Sequence, residues 1–219
     1  MTESSPLVDG MLRIHKIITR GINVAIQKCD EYTGKKGIPP DEAKGFSMYV
    51  TTLKNVIHSH HGSEDEIVYP FFKNKIEAPY ARLAEEHNTI EGILLDLEQS
   101  LLEISSGGAG RLRGVLGELN RLWIPHIRTE EESFIPEKVH TVSGIKEQEK
   151  IAKMVGRHSS KNAGPGPLSV PFLFYNLEGA EREAFMIHIP WIVTKVLVPI
   201  IWKGQWKPMS PFLLLKSVV

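Results

Sequence analysis

The stretch His58-Ser59-His60-His61-Gly62-Ser63-Glu64-Asp65-Glu66-Ile67-Val68-Tyr69-Pro70 decides the fold. His60 and Glu64 stand one helical turn apart, so they share a helix face, and Pro70 ends or bends that helix. Upstream, Phe46, Tyr49, Leu53 and Val56 hold the same helical register; downstream, Ile67 and Phe71 continue it. The pair therefore interrupts an apolar stripe and is expected to point inward. An inward carboxylate needs a partner, because a lone buried charge is strongly destabilising.

A second copy of the spacing supplies one. His126 and Glu130 lie before Pro136 within Leu112, Val115, Leu116, Leu119, Trp123 and Phe134. Between the copies, the segment from Tyr80 to Leu101 places Leu83, His87, Ile90, Glu91 and Leu94 on one face. The N-terminal helix gives Met11, Ile14, His15, Ile18 and Ile22. Four helices are thus predicted, with inward candidates His15; His60 and Glu64; His87 and Glu91; and His126 and Glu130. Without a metal, this core would bury three acids and no Lys or Arg. Seven N/O ligands exceed what one tetrahedral ion takes. They suit two octahedral iron ions bridged by two carboxylates and sharing an oxo, hydroxo or water ligand, with a position left open.

The register of the second helix has an alternative, since His61 and Asp65 have the same spacing. Their face also carries Lys54, and only His60 and Glu64 match the distance of His126 and Glu130 from the closing proline. His60 and Glu64 are therefore favoured, with His61 and Asp65 kept as metal or outer-sphere alternatives and His58 read as solvated. The runs Asp65-Glu66 and Glu131-Glu132 read as solvated faces. Tyr49 and Tyr69 read as core residues able to donate hydrogen bonds near the site. Cys29 reads as a small buried hydrophobe.

The strings HSHHGSEDEIVYP, EEHNTIEG and IPHIRTEEESFIP, in this order after His15, resemble the hemerythrin-like cation-binding family over roughly residues 8–140. The resemblance implies an up-down-up-down four-helix bundle of the myohemerythrin kind. It also implies that Glu64 and Glu130 bridge two irons, one held by His87, Glu91 and His126 and the other by His15 and His60. Oxygen-carrying members use a His pair where this chain has His87 and Glu91. A carboxylate there is expected to favour ferric iron and to disfavour reversible O2 carriage.

Beyond residue 140 the chain changes character. A polar helix is expected over Val142 to His158, then a flexible loop SSKNAGPGP, then an apolar segment broken by Pro171, Pro190, Pro199, Pro208 and Pro211. Pro190, Pro199, His188 and Lys195 argue against a membrane span there. The strings at Asn176–Arg182 and Trp202–Leu214 are similar to the C-terminal extension of fungal hemerythrin-like proteins. The expected organisation is an all-α metal-binding bundle over 1–140, with a helical, partly irregular extension over 141–219 packed on it in one globule. Phe172, Phe174, Trp191 and Trp202 are candidate walls of a substrate channel to the metals.

The 26 basic and 26 acidic residues balance, which disfavours nucleic acid and anionic membranes as partners. One cysteine excludes an intramolecular disulfide, and the N-terminus MTESSPLVDG lacks signal-peptide features, so a reducing cytoplasmic location is expected. Three functions fit the residues. The first is a diiron oxidoreductase that binds and activates O2 or peroxide and acts on a small organic substrate. The second is a non-catalytic carrier, store or sensor of O2 or iron, and the third a scaffold stabilised by its metal. Glu91 and the apolar extension favour the enzyme.

Overall fold

The computed structural model describes residues 4–34, 37–104, 108–187 and 189–215. The N-terminal helix α1 spans Pro6–Gly34. Proline at its first position loses no hydrogen bond, and the Ser5 hydroxyl accepts the Val8 N–H at 3.4 Å. Its buried stripe runs Ile18, Ile22, Ala25, Cys29 and Tyr32, as expected from the 3.6-residue period. Burial pushes the Cys29 thiol up to about 12, helped by the Asp30 charge, so it is an inert packing group.

Helix α2 (Pro40–Ser63) passes into a π-helical turn at Glu64–Val68 and the short α3 (Tyr69–Phe72). Asp41 lies in the first turn of α2, two residues after the cap position held by Pro39. In the π turn the Tyr69 N–H reaches back to the Glu64 carbonyl. The widened turn carries the chain into Pro70, which has no N–H to give. Helix α4 spans Tyr80–Leu102 and α5 spans Ala109–Ser133. Residues 105–107, in the Gly- and Ser-rich connection SSGGAG between them, lie outside the described residues.

Helices α1, α2, α4 and α5 pack in a ring, each against the next in order and α5 against α1. Short connections make such neighbours antiparallel. Where α1 crosses α2, a Cβ at Gly21 would fall 2.8 Å from Leu53 Cδ1 and 3.1 Å from Phe172 Cζ, so a larger residue there would push these side chains aside. Two apolar clusters fill the interior. The larger includes Ile22, Phe46, Tyr49 and Trp123; the smaller includes Leu83, Phe72 and Phe134 near the chain entry.

After α5 come α6 (Pro136–Val142), α7 (Ile145–Asn162), α8 (Gly166–Tyr175) and α9 (Gly179–Ile187). The expected single helix over 142–158 is thus divided at Ser143-Gly144, and α7 and α8 together absorb most of the expected loop, leaving Ala163–Pro165 as the connection. A proline-containing π-helical segment (Val193–Ile201), α10 (Lys203–Trp206) and a 3-10 turn (Lys207–Phe212) complete the chain. Among the described residues no helix is long and apolar enough to cross a membrane.

The two extension strings are anchors. The Asn176 amide accepts from the Tyr49 hydroxyl at 3.0 Å and donates to the Phe172 carbonyl at 2.8 Å. Arg182 donates to the carbonyls of Phe174, Leu177 and Leu214. Phe212 inserts beside Phe46 and Tyr49, and a Cβ at Gly45 would overlap the Pro208 carbonyl.

Candidate metal centre

The polar interior of the bundle lies between the two apolar clusters, with Trp123 as its floor. That ring stands 5.7–6.1 Å from the rings of His15, His60, His61 and His126, and its N–H donates to Thr19 Oγ1 at 2.8 Å. Above it, ligand atoms of His15, His60, Glu64 and Glu130 lie within 4.8 Å of one another, as do those of Glu64, His87, His126 and Glu130. The two groups share both carboxylates. A third group joins His61 to His87 and His126.

Outer carboxylates set the tautomers. Glu131 stands 2.9 Å from His15 Nδ1, Asp65 2.9 Å from His87 Nδ1 and Glu86 2.9 Å from His126 Nδ1. A carboxylate only accepts, so each Nδ1 carries the proton and each Nε2 presents a lone pair inward. These lone pairs converge. His87 Nε2 faces His126 Nε2 at 3.2 Å, and His15 Nε2 lies 3.2 Å from Glu130 Oε2. His60 Nε2 is 3.5 Å from Glu64 Oε2, and His126 Nε2 is 3.5 Å from Glu130 Oε2. His15 Nε2, His60 Nε2, both His61 nitrogens, Glu64 Oε2 and Glu130 Oε2 are buried without a hydrogen-bond partner. Facing lone pairs and carboxylates repel unless a cation lies between them, so this donor set fits a bound metal.

The protonation preferences of these groups agree with that crowding. Burial lowers His60 and His61 far below the usual imidazole range, reinforced by the neighbouring imidazoles. Burial raises Glu64 well above the usual carboxylate range, aided by the charge of Glu130. Burial also opposes ionisation of Glu130, but His15, His126 and His60 outweigh it and hold that carboxylate below its usual range. His15 is raised: desolvation is the largest single influence and lowers it, but Glu130 and Glu131 together overcome it. The Tyr69 hydroxyl donates to Glu130 Oε1, and burial with the charges of Glu64 and Glu130 keeps its phenol protonated.

Six of the seven ligand candidates meet here. Glu91 does not: its carboxylate turns to the bundle flank and pairs with His58 Nδ1 at 2.9 Å. Ile90 and Leu94 take the buried face of α4 there, and the space beside His87 holds His61, stacked on it at 4.1 Å and 15°. The choice between His60 and His61 is not exclusive. The end of α2 is covered by α1, α4 and α7, so adjacent histidines on two faces are both buried, His61 with 1% exposure. Asp65 and Glu131, read from sequence as solvated, are rim groups that orient His87 and His15. Each directly follows an inward Glu, and Glu86 directly precedes His87; that adjacency is the sequence signal for the outer carboxylates.

A cavity of about 390 Å³ reaches the centre at His60 and Glu64, bounded by α1, α2, α7 and α8. Its walls are not the expected aromatics. Phe172 and Phe174 are buried in the main core, Trp191 is 71% exposed, and Trp202 packs against the core near Gly166. Successive helical residues diverge by about 100°, so α8 presents Val170 and Leu173 to the cavity while Phe172 faces Tyr49. Tyr49 likewise belongs to the core, bonded to Asn176.

Comparison with protein families matches residues 7–137, well over half of the chain, to the hemerythrin HHE cation-binding domain. The chain belongs to this family. Comparison with curated proteins and with solved structures gave no match. The hemerythrin match ends before α7, so both the latch on α2 and the outer wall of the cavity are built from residues beyond it.

Proposed function

We propose that this hemerythrin-like chain is a non-haem diiron oxidoreductase that uses O2 or peroxide to oxidise a small organic molecule. His61, His87 and His126 would hold one iron and His15 and His60 the other, with Glu64 and Glu130 shared. The sharing of both carboxylates between the two four-residue groups supports this assignment. The bound iron would supply electrons to the oxidant and a Lewis-acidic position for it. His15 and His60, the side with fewer candidate protein ligands, would leave room for it.

The observation that carries the catalytic reading is the cavity. It borders His60 and Glu64, its volume of about 390 Å³ is far more than O2 requires, and its lining is mostly aliphatic and aromatic. Val68, Phe72, Phe134 and Val139 make the approach to Glu64 apolar. Tyr69 stays protonated and donates its hydroxyl hydrogen bond to Glu130, which would hold that carboxylate in place at the centre.

A non-catalytic O2 carrier or sensor is the second reading, and one observation favours it. With Glu91 on the flank, the centre has five imidazoles and two carboxylates, and the extra anionic ligand expected to favour ferric iron is absent from it. To separate the two, the iron-loaded protein is reduced without air, exposed to O2 and then degassed while its visible absorption is followed. An oxidoreductase should stay oxidised without a reducing substrate; full recovery of the ferrous spectrum would establish a carrier.

A further inference from the structure

The cavity has a chemical character specific enough to name its occupant's class. One wall comes from α1 and α2, with Ile14, Ile17 and Val56; the other comes from the extension, with Val155, Val170 and Leu173. Three of the five serines on it are already engaged. Ser63 donates to the His60 carbonyl at 2.8 Å, Ser160 to the Arg157 carbonyl at 2.8 Å and Ser169 to the Pro165 carbonyl at 3.3 Å. Arg13 lies across the Phe185 ring, 5.8 Å from its centroid. Ser59 is different: it is 2% exposed and its hydroxyl has no partner. A helical serine ordinarily satisfies itself on the carbonyl four residues back, as Ser133 and Ser169 do here. An unspent buried donor beside His60, in a mostly apolar enclosure, is a hydrogen-bonding handle for a guest.

We infer that the cavity binds a neutral, predominantly hydrocarbon molecule with one oxygen atom, which accepts a hydrogen bond from Ser59 and so sets the molecule's orientation beside His60 and Glu64. An anionic group placed there would meet Glu64, and a cationic one would compete with the metal for that carboxylate. Gly10 of α1 and Gly156 of α7 both line the cavity, and a Cβ on either would meet nothing within 4 Å, which leaves room for a guest to enter on that side. That this guest is the molecule oxidised rests on the function proposed above; that it binds does not.

The test is headspace partition of 2-heptanone and heptane over the iron-loaded full chain, a measurement blind to redox chemistry. Ser59→Ala should weaken ketone binding by about 3- to 10-fold, the range of one neutral hydrogen bond, and leave heptane binding unchanged. Val155→Trp should abolish binding of both. Gly156→Phe, whose Cβ enters open space, should also reduce binding of both, and it serves if Val155→Trp does not fold. Iron content should be unaffected in all three. Equal ketone affinity in Ser59→Ala and the unmodified protein would overturn the orienting role, and undiminished binding in Val155→Trp and Gly156→Phe would overturn the cavity as the site. A protein that binds the ketone yet recovers its ferrous spectrum after O2 removal would retain this inference and lose the oxidoreductase reading.

Discussion

The two ends of the bundle are equally buried and chemically opposite. Where the extension latches on, Tyr32, Phe46, Tyr49, Phe172 and Phe212 pack ring against ring at 5.0–5.6 Å, and both tyrosine hydroxyls are bonded, to Glu42 and Asn176. At the other end His15, His60, His61, Glu64 and Glu130 are as deeply enclosed but aim unsatisfied atoms at one another. Burial alone therefore does not mark function in this molecule. Polar atoms left unpaired in a dry interior do, because they reduce stability unless a ligand compensates them. One end holds the fold together, and the other is preorganised for a cation.

That contrast can be broken by experiment. The largest effect should come from Glu130→Ala, which removes the carboxylate common to both ligand groups; on the diiron proposal iron per chain should fall from two to none, whereas one retained iron would show that Glu130 is not shared. His61→Ala should cost one iron. At the opposite end, Phe212→Ala should lower unfolding free energy by about 3–5 kcal/mol, as for other buried phenylalanines, while the folded fraction keeps its iron. Loss of iron in that variant would show that the two ends are not separable. Asp65→Asn leaves a side chain of the same shape on His87 but removes the charge, and iron affinity measured by competition with a chelator should weaken by roughly 10- to 100-fold. The smallest effect is expected from Glu91→Ala, within about 0.5 kcal/mol in stability and without change in iron content, since its partner His58 is itself exposed. Iron loss in Glu91→Ala would restore Glu91 to the ligand set.

Much of the centre is legible in the order of residues because ligands on a helix obey a fixed period. His60 with Glu64 and His126 with Glu130 sit within apolar stripes, and a His-Glu pair turned into such a stripe is costly unless something in the interior binds it. The same period fails for Glu91. It stands one turn after His87, but the angular offset of about 40° over four residues is enough to carry it from core to flank when the neighbouring helix fills the space. The aromatic channel walls fail for a related reason: hydrophobicity identifies residues that leave water, not which of two enclosed spaces they face.

The sequence by itself determined the all-α class, the four bundle helices and six buried ligand candidates, since helical periodicity and the penalty for burying a lone charge are local in origin. Tertiary structure alone decided that His61 joins His60 inside, that Asp65, Glu86 and Glu131 orient imidazoles across helix boundaries, and that the extension opens a cavity onto the centre. Those features depend on how far each helix is rotated against its neighbours and on what fills the gaps, quantities fixed by close packing among residues distant in sequence.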